Sequence, residues 1–262
     1  MVLVQFLERI ENKNMLLKVE NLNKKFGSVV AANNINFSMN KKEVIGVIGS
    51  NGAGKTTFCN MITGYIKADT GKILYDGNDI TSFNVQKIKN MGIHRSFQIP
   101  QVFENLGALE NIIITELVSK KKQNNFIEEA YTKVNYDNAL LLLKNFSLEN
   151  FSNKLVKELP QGARKVLDII LAIIGNPQII LLDEPTSGIS TDEKNIVMNN
   201  VIKSIKKLNI SVLFIEHDME IVEKFSDRVV AFYNGEILAD GTPQKVLKQK
   251  DVIKYIVGRK NA

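Results

Sequence analysis

Two short stretches of this chain carry the residue types needed to hold a phosphate and to attack it. The first, GSNGAGKT from Gly49 to Thr56, matches the pattern GxxxxGK(S/T). Gly49, Gly52 and Gly54 let backbone N–H groups converge on phosphate oxygens, with Ser50, Asn51 and Ala53 completing the loop. Lys55 supplies a point charge, the hydroxyl of Thr56 can ligate magnesium, and Thr57 follows it into a helix. The second stretch, IILLDEP from Ile179 to Pro185, is an apolar run ending in two carboxylates. Asp183 and Glu184 need a cation or water there. Asp183 would hold magnesium, directly or through water, and Glu184 could take a proton from an attacking water as a general base. Each stretch has a plainer reading, a glycine turn and a helix-capping pair. Their occurrence in one chain, each behind an apolar strand, favours the phosphate reading.

Three single residues point the same way with less force. His217, in LFIEHDM, lies just beyond an apolar strand, where parallel-sheet topology puts strand ends at a ligand crevice. By itself it reads equally as a structural histidine. Gln98 stands in HRSFQIP, and Phe26, in KKFGSVV, is either a core aromatic or a face on which a base stacks. A third stretch, LPQGARKV from Leu159 to Val166, opens a strongly apolar helical run. The start of a helix offers unpaired N–H groups and a positive dipole end, a candidate anion site.

The elements that must position these residues alternate. LLKVEN and NINFSM read as strands, KEVIGVIGSNGAGKTT as a buried strand, loop and helix, and KILYDG as another strand. GIHRSFQIP reads as a strand ended by Pro100. Residues 101 to 158 then turn polar and helical, and strand chemistry resumes at QIILLDEP. DEKNIVMNNVIKSIKKL followed by SVLFIEHD has the helix-then-strand rhythm of a parallel sheet. RVVAFYNGEILADGTP closes as a hairpin turning at Asn234 and Gly235.

With 262 residues and 44% apolar content the chain is of the globular class, and no apolar run reaches the ~20 residues of a membrane span. The first residues include Glu8 and Glu11 and lack a cleavage pattern, so a secretory signal is not expected. The single cysteine, Cys59, excludes an internal disulfide and a cysteine metal cluster. A net charge of +6 suits nucleic acid, a polyanionic ligand or an acidic membrane surface. Basic runs such as Lys120 to Lys122 lack interleaved aromatics, which demotes nucleic acid.

In this order the pieces resemble the ATP-binding subunit of ABC transporters, from about Leu16 to Gly258. The resemblance implies an α/β P-loop NTPase core with a mixed, largely parallel sheet, an N-terminal antiparallel β subdomain and an inserted helical subdomain. The implied divisions are an extension at residues 1–14, a catalytic core at 15–99 and 177–262, and a helical subdomain at about 100–176. It also implies ATP and Mg2+ as ligands, with Phe26 stacking on the base and Gln98 sensing the metal and coupling to the partner. Thr56, Gln98 and Asp183 are implied as the metal set, Glu184 as the catalytic base and His217 as the γ-phosphate histidine. LPQGARKV lies where this family has its signature, so Leu159, Pro160, Gln161 and Gly162 are expected to meet ATP held by a second ATPase subunit. The other implied partners are transmembrane permease subunits, which places the chain on the cytoplasmic face of the membrane as a peripheral subunit. Nucleic acid is not expected.

The signature departs from the family's usual LSGGQ: Pro160 replaces serine, Gln161 the first glycine and Ala163 the glutamine. Ser190, in TSGIS, stands where many relatives have aspartate. A Pro-x-Gly signature, RSFQ around Gln98, EHDM at His217 and a tail resembling DGTPxxV then VIxxYxG look like the LivG-type ATPases of branched-chain amino-acid importers. ATPases of lipopolysaccharide export and of amide import share part of this pattern. A non-transport ABC ATPase acting on nucleic acid, a catalytically silent nucleotide-gated module and a soluble P-loop kinase are the alternatives from other classes. VLVQFLERI, ahead of the pattern, reads more simply as a start-site artefact than as a short amphipathic segment packing on a partner.

Overall fold

The computed structural model describes residues 14–96, 98–119 and 133–258. The expected N-terminal extension up to Lys13, Phe97 of HRSFQIP and the basic run at 120–122 lie outside the described residues. Among the described residues ten strands form two sheets. The first is antiparallel, in the order β2-β1-β4-β5, from β1 (Met15–Phe26), β2 (Val29–Asn40), β4 (Thr70–Tyr75) and β5 (Asn78–Asp79). The second has the order β10-β9-β3-β8-β7-β6. Its strands are β3 (Val44–Gly49), β6 (Ile93–Arg95), β7 (Ile179–Asp183), β8 (Ser211–Ile215), β9 (Arg228–Tyr233) and β10 (Glu236–Gly241). All its neighbours are parallel except the β9–β10 hairpin.

The near-continuous apolar sequence of β3, β7, β8 and β9 follows from burial on both faces. Side chains alternate across a strand. Val44, Ile48, Ile180, Leu182, Val212, Phe214, Val229 and Ala231 accordingly face one core, while Ile45, Val47, Ile179, Leu181, Leu213, Ile215, Val230 and Phe232 face the other. The first core is filled by α3 (Ala108–Ser119), α4 (Lys133–Asn145), α5 (Gln161–Ile173), α6 (Thr191–Lys207) and α7 (Met219–Phe225). The second lies under the antiparallel sheet and contains α1 (Lys55–Ile62), with α2 (Val85–Asn90) at its margin. The expected helices of residues 101–158 are α3 and α4, which enter between β6 and β7.

Two local outcomes differ from, or add to, the sequence reading. GIHRSFQIP stays in the sheet only as far as Arg95; beyond Ser96, whose N–H still bonds Leu181 O at 2.9 Å, the chain leaves it. The Arg95 side chain is drawn instead to Asp183 and Asn60. The Asn234-Gly235 turn forms as expected, with φ of 48° and 79°, and it also holds the glycine loop: Gly235 N–H donates to Ala53 O at 3.0 Å.

Phe58 is the largest anchor under that loop. It is fully buried in α1, edge-on to Phe37 at 5.3 Å and beside Phe232 at 5.2 Å, so one ring joins helix, antiparallel sheet and mixed sheet. Phe58→Ala is expected to lower the unfolding free energy by about 3–5 kcal/mol, read from the urea midpoint at constant slope.

Candidate functional site

Because β3, β7 and β8 are parallel and adjacent, their C-terminal ends share one edge of the sheet. That edge receives the glycine loop from β3, Asp183 and Glu184 from β7, and Glu216 and His217 from β8. The loop turns into α1 at Gly54, whose φ of 100° excludes most side chains and whose missing Cβ would overlap the carbonyl of Ala31. A Cβ at Gly49 would lie 2.5 Å from Phe232 O. The loop is therefore pressed against both sheets, and α1 points its N-terminus across it.

Lys55 opens that helix. Its buried ammonium donates to Gly49 O at 2.7 Å and Ser50 O at 2.9 Å, folding the side chain over the loop. Burial pushes its pKa below the ordinary lysine value, against the opposing pull of the Glu184 and Asp183 carboxylates. An open cleft of about 470 Å³ lies over these residues, lined by Phe26, Asn51 to Thr57, Glu184 and His217. Phe26 is half exposed, and the Lys24 ammonium stands 5.3 Å from its ring centroid. The structure thus places Phe26 as a free face on the cleft rim rather than in the core.

Glu184 is the centre of the polar cluster. Its carboxylate accepts from Gln98 Nε2 at 2.8 Å through one oxygen and meets His217 Nε2 at 3.1 Å through the other. Its backbone is left-handed at φ 49°, a conformation that costs a non-glycine residue about 1–3 kcal/mol. Three contacts hold it there: Glu184 N–H donates to Ile215 O at 3.0 Å, Ser187 N–H to Glu184 O at 3.1 Å, and the Lys165 ammonium to Glu184 O at 3.2 Å. Asp183 is ion-paired with Arg95, which also donates to Asn60 of α1.

Sequence reasoning missed Arg95, Glu216 and Lys165. Glu216 is buried and accepts from Thr186 N–H at 2.8 Å, Thr186 Oγ1 at 2.6 Å and His217 N–H at 3.2 Å, so it sets the backbone from which the histidine projects. Its signal was a carboxylate directly after the apolar run VLFI, the same signal that marks Asp183.

The donors suit MgATP. Glycine-loop N–H groups and the Lys55 ammonium fit a polyphosphate. The Thr56 hydroxyl, the Asp183 carboxylate and the Gln98 amide oxygen are hard donors of the kind that magnesium would take beside phosphate and water. Among the described residues no three His, Cys, Asp or Glu side chains converge as a metal cage, so a metal here would share its ligands with the phosphates. Cys59 plays no part: it is buried in α1 and burial pushes its thiol up to about 12.

The signature is not part of this cleft. Leu159 is buried, Pro160 and Gln161 are exposed at the tip of α5, and the Gln161 amide lies over Gly188. Arg164 turns back, donating to Leu159 O at 3.0 Å and to Lys157 O. Ser190, which stands at the N-cap of α6, donates to Glu193 at 3.0 Å.

Comparison with known proteins bears on the family and the fold. The family model described as ABC transporter matches residues 32–187. The chain is 32% identical to the high-affinity branched-chain amino acid transport ATP-binding protein BraF of Pseudomonas aeruginosa, over 93% of this chain and 98% of that protein. Among solved structures it superposes with a TM-score of 0.80 on the ADP conformation of an ATP-binding cassette of an ABC transporter, at 32% identity and covering 92% of this chain and 97% of that one. It superposes at 0.72 on the dimeric post-hydrolysis state of another ATP-binding cassette bound to ADP and Pi, at 26% identity and covering 87% and 99%. With a phosphate loop, a paired-carboxylate strand and a fold shared along nearly its whole length, the chain belongs to the ABC transporter family as one of its ATP-hydrolysing, ATP-binding chains.

Proposed function

We propose that this chain is the MgATP-hydrolysing subunit of an importer of branched-chain or related amino acids, working through separate permease subunits. The observation that carries its chemistry is the Glu184 carboxylate held between Gln98 Nε2 and His217 Nε2 at the mouth of the glycine loop. In this reading Gly49, Ser50, Asn51, Gly52, Ala53 and Gly54 cradle the phosphates, Lys55 neutralises them, and Thr56 and Thr57 follow at the helix start. Phe26 stacks on the base. Glu184 takes a proton from the attacking water, and His217 orients that carboxylate and meets the γ-phosphate. Thr56, Asp183 and Gln98 would hold Mg2+, which when bound draws charge from the phosphate oxygens.

The signature, Leu159 to Gly162, serves the nucleotide of a second ATPase subunit, either a copy of this chain or a relative. Its place outside the chain's own cleft and the dimeric state of a solved relative support this. Closure with ATP and reopening after hydrolysis then drive the permeases from the cytoplasmic face of the membrane, a ligand-driven population shift. Residues 15–99 and 177–262 form the catalytic core and about 100–176 the helical subdomain that couples it. The substrate class rests on the name of the relatives, BraF among them, and on their match along nearly the whole chain. No helix among the described residues is long and apolar enough to cross a membrane.

Glu184→Gln is expected to keep ATP affinity and to abolish phosphate release; release at the original rate would remove Glu184 from the role of base. Lys55→Ala should lose nucleotide binding itself in a titration, and an unchanged Kd would contradict its placement. Co-purified with its permeases and reconstituted in vesicles, the complex should take up leucine, isoleucine or valine only with ATP. Uptake of urea or of no amino acid would overturn the substrate class.

A further inference from the structure

Lys165 is a buried cation that the roles above leave unused. It begins the second turn of α5 and is only 3% exposed. Its three donors are all engaged: Gln98 O at 2.6 Å, Ser187 Oγ at 3.0 Å and Glu184 O at 3.2 Å. Asp168, one turn further along the same helix, accepts from Gln101 N–H at 2.8 Å. The signature helix therefore grips the segment 98–101 at both ends and the segment 184–187 at two points.

Packing alone does not account for this lysine. Burial pushes its pKa below the ordinary value, with Asp168, Glu184, Glu216 and Asp183 opposing that shift, so the charged form is held at a cost. A methionine would fill nearly the same space, but it would leave the three acceptors without their donor. What the three acceptors share is location. Two are the backbones of Gln98 and Glu184, whose side chains meet at 2.8 Å, and the third begins the turn that leads to Gly188 beneath Gln161.

Resting on the dimer reading above, we propose that Lys165 is a positioning residue that locks Gln98 and Glu184 to the signature helix. The general base of one nucleotide site is thereby fixed to the helix tip that completes the other. With its three donors engaged within the chain, the lysine has none left for a nucleotide. It acts through the carbonyls of the base and of its amide partner Gln98, so its loss should lower turnover without weakening the chain's own nucleotide grip, which lies with Lys55 and the glycine loop.

The test uses the full chain and the variants Lys165→Met, Lys165→Arg and Ser187→Ala. Lys165→Met should bind ATP with a Kd within about twofold of the parent while kcat falls about tenfold or more, the scale of lost charge-assisted bonds. Amide exchange should quicken in peptides spanning 98–104 and 184–190 and stay unchanged in 49–62. Lys165→Arg, which keeps the charge and the donors, should recover much of the rate, and Ser187→Ala should lose a few-fold. Unchanged kcat and exchange in Lys165→Met would overturn the proposal, as would quickened exchange along the whole chain with a matching loss of ATP affinity. If Lys165→Met does not fold, Ser187→Ala at the parental rate overturns it. Glu184→Gln is judged separately: if it stays active the catalytic reading falls, whereas an inactive Glu184→Gln beside a fully active Lys165→Met sinks only the role of Lys165.

Discussion

The structure depends on a sheet whose central strands have no face to spare. Every residue of β3 is buried, and successive side chains of β7, β8 and β9 enter opposite cores. Polar chemistry therefore has no place along these strands and collects at their ends. Parallel pairing then sends the ends of β3, β7 and β8 to one edge. Glycine loop, paired carboxylates and histidine meet there although 168 residues separate Gly49 from His217.

What that edge gains in proximity it must hold in an unfavourable conformation. Glu184 sits at φ 49° with its carboxylate shared between an amide and an imidazole, and the Lys55 side chain is buried against the loop. Each cost is met by neighbours. Gly235 N–H supports the glycine loop from the hairpin, Glu216 ties Thr186 to the His217 backbone, and Arg95 braces Asp183 against α1. These supports come from the ends of β6 and β8 and from the β9–β10 turn, so the polar groups of the cleft are fixed by residues that do not themselves line it.

That division explains how much was legible in the sequence. The glycine loop, Asp183, Glu184 and His217 announce themselves because each breaks an apolar run at its C-terminal end, and the strands and helices follow from periods of 2 and 3.6. The supports do not. Arg95 is one cation in a short strand whose end was set too late. Glu216 ends an apolar run as Asp183 does, but only its bonds to Thr186 and to the His217 N–H show that it holds backbone. Lys165 looks like one more basic residue near a helix start, and only its place on the buried side of α5 marks it. Roles that depend on contacts across 19 to 88 residues leave no local pattern. Gln98 was legible only through its family, since its bond to Glu184 spans 86 residues.

The altered signature can be weighed in the same terms. Pro160 occupies the N-cap of α5 and offers no side-chain acceptor to the helix, so no side chain of the chain itself caps the tip. A serine there would add a hydroxyl bond to a charged phosphate, worth about 1.5–3 kcal/mol. Proline forfeits that bond and leaves the backbone donors and the positive dipole end, which follow from the helix and not from the residue before it. Gly162 lies deeper: it is buried, and a Cβ on it would turn inward to ordinary contacts of 3.5 Å or more with Val197 and Ile189, so nothing within the chain requires glycine there and its missing side chain opens no outer surface.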